Sequence, residues 1–216
     1  MKVIDLTQTI KNDMPVYPGT VGPELSIGFT VPRDGFQETL LSMYSHTGTH
    51  MDAPAHVYEG RPSLDSMPVS SFVGKALLVD CRDIPAGAEI PLAKIQNLQA
   101  LADEAEFLVF MTGWSRLWDS PEYFGEYPVP SEEICRYAIG SGKKGICMDY
   151  IGLDPISDTK LVRHHQVLAH DMVIVENLTN LEAVYDVCGE GLFTLAVLPL
   201  KYENADGAPI RAVALV

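Results

Sequence analysis

Apolar residues along this chain fall into short runs broken by single glycines, prolines and polar clusters. Eight runs carry the length and the valine, isoleucine and aromatic content of strands: 2–6, 38–45, 75–81, 106–113, 145–149, 172–178, 192–200 and 209–216. Three segments follow helical spacing instead. In 92–105, Ile95, Leu98, Leu101 and Ala102 share one face. Segment 131–142 opens on Ser131, an N-cap residue, with acidic residues behind it and glycine at its end. Segment 157–171 opens on another capping serine or aspartate. Strands outnumber helices and alternate with them through the middle and later parts of the chain, which predicts an α/β fold with a large β component. No linker, repeat or low-complexity stretch divides the 216 residues, so one domain spanning 1–216 is expected.

Charge narrows the partners. The formal net charge is −14, so phosphate backbones and anionic membranes would repel the chain, and neither nucleic acid nor membrane is expected. The first residues, MKVIDLTQTI, contain no apolar signal segment, and no run reaches the length of a membrane span. Cys81, Cys135, Cys147 and Cys188 form no CxxC pair, and three lie in or beside apolar segments. They read as buried thiols of a reducing compartment, hence a cytoplasmic protein.

The chemistry is concentrated in the six histidines. Three stand in His46-x3-His50-x-Asp52-x3-His56. A four-residue spacing can place two histidines on one helix face, but Gly48 and Pro54 disfavour a helix. A strand end running into a tight loop fits better, with His50 and Asp52 on the same side. Imidazoles and a carboxylate suit zinc or manganese, and a carboxylate can bridge two ions.

The other three are His164, His165 and His170. Leu161, His164, His165 and Leu168 follow i, i+3, i+4, i+7, which puts both His164 and His165 on the inward face and does not choose between them. His170 sits near the helix end, where the dipole favours it. Glu176 interrupts the apolar strand MVIVENL, and a buried carboxylate there needs a partner such as a metal ion. Two smaller features are a turn at NADGAPIR (204–211) and the aspartates of DYIGLDP (149–155), which could support a site or cap a loop.

HTGTHMDAPAH (46–56) resembles the HxGTHxDxPxH motif of the cyclase-like metal-dependent hydrolases, the family of bacterial kynurenine formamidase and isatin hydrolase. The similarity extends to VIDLTQTI…VYPG, RHHQVLAHDMVIVENL and VLPLKYENADGAPIRAV; residues 84–145 match least. It implies a β-rich domain of the swivelling β/β/α type, assembled as a homodimer or homotetramer, with two divalent ions, zinc before manganese. His46, His50 and Asp52 would hold one ion, and Asp52 would bridge to a second held by His164 and Glu176. The family's twelve-residue interval between histidine and glutamate selects His164. His56 would be the acid/base and Tyr17 would meet the substrate, at a position where the formamidases have tryptophan.

The implied reaction is hydrolysis of a small-molecule amide, N-formylkynurenine foremost. Ring opening of a cyclic amide or lactone is the alternative, and metal binding without catalysis is the alternative of another class. Trp114, Trp118, Tyr123 and Phe124 are further candidates for a flat pocket wall.

Overall fold

Four runs with almost no polar residue, in β5 (Val73–Asp80), β7 (Phe107–Met111), β9 (Gly145–Met148) and β10 (Val173–Glu176), lie side by side and parallel in the computed structural model, which describes residues 1–216. Parallel strands covered on both faces need this continuous apolarity. The remaining strands are β1 (Val3–Asp5), β2 (Glu24–Phe29), β3 (Glu38–Ser42), β4 (His50–Asp52), β6 (Glu89–Ile90), β8 (Val129–Pro130), β11 (Leu192–Pro199) and β12 (Gly207–Leu215). The main sheet runs β1-β12-β11-β5-β7-β9-β10-β4, and β4 pairs back onto β12. Seven strands therefore close into a mixed barrel, with β1 attached outside the ring.

Alternation along the strands separates two cores. Ala76, Leu78, Phe107, Val109 and Met111 join Leu195 and Val197 in the barrel interior. Leu77, Val79, Leu108 and Phe110 face the helices. Those helices are α1 (Val31–Asp34), α2 (Ala93–Gln96), α3 (Gln99–Glu104), α4 (Glu132–Gly140), α5 (Val162–Leu168) and α6 (Leu181–Cys188); α2 to α5 supply Ile95, Ala102, Ile134 and Val167 to the outer core.

The expected elements differ from this in several places. The 92–105 helix is two short helices broken at Asn97 and Leu98. The 157–171 helix begins only at Val162, and its free N–H groups at Arg163 and His164 bond the carboxylate of Asp154. Ser131 occupies the N-cap position of α4, but its hydroxyl makes no capping bond. Strand 38–45 ends at Ser42 and belongs to an exposed two-stranded ribbon with β2, outside the barrel. Neither β2 nor α6 was legible as an element, because β2 buries no residue and α6 follows a segment of loop polarity. Cys81, Cys135 and Cys147 are buried, all four cysteines are free, and no helix is long and apolar enough to cross a membrane.

Candidate metal centre

β4 is only three residues long, yet it is the strand that closes the barrel, and it carries His50 and Asp52 on one side. On one flank His50 stands opposite Glu176 of β10; on the other Asp52 stands opposite Gly207 of β12. Gly48, at φ +66°, turns the chain so that His46 comes back to the same place. Gly207 makes room for it: a Cβ there would lie 2.5 Å from the His46 ring. α5 presents His164 from the remaining side.

Four side chains meet around Asp52. Its Oδ1 lies 3.1 Å from His46 Nε2 and 3.4 Å from His50 Nε2, and its Oδ2 lies 3.6 Å from His164 Nε2. Glu176 closes the group, 3.4 Å from His50 Nε2 and 3.3 Å from His164 Nε2. All but His46 are buried, and His46 is mostly so. Glu176 thus faces inward, also accepting the N–H of Leu153 at 3.0 Å.

The imidazoles are oriented from behind. His50 Nδ1 donates to the Gly48 carbonyl at 2.8 Å, and His164 Nδ1 donates to Asp154 Oδ2 at 2.7 Å. Each leaves its Nε2 lone pair toward the carboxylates, the arrangement that metal-ligating histidines use. His46 Nε2 and Asp52 Oδ1 are buried and make no hydrogen bond despite their proximity. A cation between them would satisfy both, so this donor set fits a divalent metal.

Electrostatics agree. Burial disfavours ionisation of Asp52, but the imidazoles of His46, His50 and His56 outweigh it and hold the carboxyl far below its ordinary range. Burial likewise opposes a charged His164, yet the carboxylates of Asp154, Glu176 and Asp52 push its pKa up to about 10. His46 is raised against its burial, chiefly by Asp52. Negative charge that draws protons onto these rings can hold a cation in their stead.

Asp52 belongs to two tight donor sets. The histidines divide between these sets. Donor atoms within 4.8 Å of one another are His46, Asp52 and His56 in one set and His50, Asp52 and Glu176 in the other. His56, in the helical turn Pro54–His56, lies with its ring centroid 4.1 Å from that of His46. Burial lowers its pKa, as do the neighbouring His46 and His164, while Asp52 opposes the shift.

The cluster opens onto a cavity of about 480 Å³ walled by Tyr17, Thr20, Val21, Tyr44 and Asp158, among others. Tyr17 thus lines the space in front of the cluster. Trp114, Trp118, Tyr123 and Phe124 are not in that wall; they pack in the outer core. The Tyr123 hydroxyl donates to Asn177 Oδ1 at 2.6 Å, and Asn177 Nδ2 donates to the Gly48 carbonyl at 2.8 Å, so Tyr123 braces the turn behind His50. His165 and His170 are outside the cluster, His165 beside Tyr58 and His170 bonded to the Gln166 carbonyl. Sequence reasoning missed Asn177 and Asp206. Asn177 adopts φ +60°, a conformation asparagine tolerates; the turn expected over 204–211 ends at Asp206, because β12 already begins at Gly207, and Asp206 lies 3.7 Å from His46 Nδ1. Of the two DYIGLDP aspartates, Asp154 both caps α5 and orients His164. Asp149 only binds the loop at Thr112 and Gly113.

A family model described as "Putative cyclase" matches residues 4–155. The kynurenine formamidase of Maricaulis maris (strain MCS10) is 30% identical, covering 98% of this chain and 97% of its own length. Isatin hydrolase A from Labrenzia aggregata, solved with benzyl benzoate, superposes with a TM-score of 0.87 at 23% identity, covering 100% of this chain and 93% of that one. A potential metal-dependent hydrolase with cyclase activity is 25% identical with a TM-score of 0.76, covering 99% and 98%. Fold, cluster and relatives define a metal-dependent hydrolase. Within that class, the chain belongs to the "Putative cyclase" family.

Proposed function

We propose that this amide hydrolase acts on an aryl formamide, with N-formylkynurenine the first substrate to try. The observation that carries the reading is Asp52, a buried carboxylate within 3.6 Å of three imidazoles at the floor of a substrate-sized cavity. Relatives 30% identical along the full length, named kynurenine formamidases, support the substrate.

His46, His50 and Asp52 would hold one ion, and Asp52, His164 and Glu176 a second, with zinc favoured by the imidazole-rich donors and manganese the next choice. Such ions supply a water acidic enough to attack at neutral pH and positive charge beside the carbonyl oxygen. His56 stands at the cluster's edge, its side chain 28% exposed, able to take a proton from the attacking water and return it to the departing amine nitrogen. Tyr17, 40% exposed in the cavity wall, offers its ring face to an aromatic substrate.

Tyr17 also favours a second reading, ring opening of a cyclic amide, because it stands where the formamidases carry tryptophan. The large apolar side chains left exposed on the β2–β3 ribbon support a homo-oligomer, and the four free thiols support a cytoplasmic setting.

The test is hydrolysis of N-formylkynurenine before and after chelation, with metal content measured on the same sample. Chelator-sensitive turnover with two ions per chain supports the reading. Bound metal without turnover on this substrate, but with turnover on isatin, would favour the second.

A further inference from the structure

The cavity in front of the cluster has an acidic wall. Its wall includes the carboxylates of Asp52, Asp154, Asp158, Glu176 and Asp206, and neither a lysine nor an arginine. Three of these are already engaged. Asp52 and Glu176 face the imidazoles, and Asp154 is held by His164 and by Arg163, whose Nη1 lies 3.4 Å away.

Asp158 and Asp206 are different. Asp158 accepts only backbone N–H groups, from Lys160 at 2.8 Å and Val162 at 3.5 Å, and makes no ion pair. Asp206 has a side chain 45% exposed, and its neighbours are the hydroxyls of Ser45 and Tyr202 and the His46 and His56 rings. The wall also includes the uncharged Tyr17, Thr20, Val21, Tyr44 and Thr159. Tyr17 responds to this field: burial raises its pKa, and the charges of Glu176, Asp154 and Asp158 raise it further.

We infer that the site selects aryl amides by the charge of the group remote from the amide: an ammonium or neutral group is accepted and a carboxylate is rejected. This rests on the amide-hydrolase reading. On a substrate with both charges, the ammonium is the group recognised. A carboxylate entering this cavity gives up hydration, finds no guanidinium or ammonium to replace it, and meets Asp158 and Asp206, neither of which is paired with a lysine or arginine. An ammonium finds acceptors in the same places. The positive charge of the ions acts at the amide end, where Asp52 and Glu176 offset part of it.

The experiment compares three 2-formamidophenyl ketones on metal-loaded enzyme. Their side chains end in an ammonium alone, in an ammonium with a carboxylate (N-formylkynurenine), and in a carboxylate alone. The ammonium compound should match or exceed N-formylkynurenine in kcat/KM. The carboxylate compound should fall at least about tenfold below it, with a gap that narrows at high salt. Asp158→Asn should narrow the same gap several-fold, through KM. Equal or faster turnover of the carboxylate compound overturns the inference. If none of the three is hydrolysed, the formamidase reading fails, and binding decides the charge preference separately. The deformylated anilines with ammonium or carboxylate side chains are then titrated calorimetrically. Tighter binding of the ammonium aniline supports the inference; equal or tighter binding of the carboxylate aniline overturns it.

Discussion

Asp154 and His164 are joined twice: one carboxylate oxygen of Asp154 accepts both the His164 backbone N–H, at 2.9 Å, and the His164 ring Nδ1–H, at 2.7 Å. The same residue therefore starts the helix and aims its histidine. Arg163 holds the other oxygen through its backbone N–H at 2.9 Å, and Arg163 Nε donates to the Pro130 carbonyl at 2.7 Å. The orientation of His164 is thus tied to the short strand β8.

Replacing Asp154 by asparagine should weaken metal binding through His164 by about 10- to 100-fold, the usual effect of losing a carboxylate behind a ligating imidazole. Competition with a chromogenic chelator measures this without reference to turnover. Unaltered affinity for both ions would remove Asp154 from the metal centre and leave it as a helix cap worth about 1 kcal/mol.

His56→Ala should retain its metal and lose about 10²- to 10⁴-fold in kcat, the range for a proton-transferring side chain. Glu176→Gln should lose an ion. Metal analysis alongside kinetics separates these outcomes, and an H56A enzyme that lost an ion while keeping its remaining activity would make His56 a ligand, as its place beside His46 and Asp52 also permits.

Asp149 provides a pH prediction away from the metal centre. Complete burial raises its pKa from the ordinary 3.8 to about 6, although the Thr112 hydroxyl and the Thr112 and Gly113 N–H groups partly counter the shift. Below pH ~4 it is protonated in both folded and unfolded chains, and its favourable share of stability is fully present. As the pH rises through about 6 the unfolded chain releases this proton first, so that share, on the order of 3 kcal/mol, is lost. Urea unfolding of the native chain and D149N at pH 4 and pH 7 should show the difference moving in favour of the variant by about this amount. A difference independent of pH would mean that Asp149 ionises without hindrance in the folded chain.

The ribbon gives a prediction about assembly. Ile27, Phe29, Leu40 and Leu41 are between 42% and 67% exposed, and a two-stranded ribbon has little stability by itself. Light scattering should report more than one copy per particle. Leu40→Asp with Ile27→Asp should shift the mass toward one chain with the barrel's far-ultraviolet signal retained, whereas a single-chain mass for the native protein would leave the ribbon without this role.

Much of the barrel was legible because its cause is local. β5, β7, β9 and β10 are apolar on both faces, and this reads directly as buried parallel strands. The ligand candidates were legible for a similar reason, since the histidines clustered at 46–56 and 164–170 stand out in any register. The helices were less so: the apolar spacing of 92–105 continues across Asn97 and Leu98, where Leu98 leaves the helical conformation and two short helices stand in place of one. The aromatic segment 111–128 was legible only as aromatic, because which cavity a ring faces is decided by neighbours distant in sequence.

From the sequence alone came the α/β class, the inward-facing strands, and two clusters of potential ligands more than a hundred residues apart. Tertiary structure decided how they meet. β4 is too short to announce itself, yet it pairs with both β10 and β12 and sets His50 opposite Glu176 and Asp52 opposite Gly207. It also chose His164 over His165 as the ring facing the carboxylates, and it brought Asp206 to the cavity. The physical reason is that alternation determines which face a side chain occupies, a local property. Its partner across the ladder depends on strand order and register, which only closure of the barrel establishes.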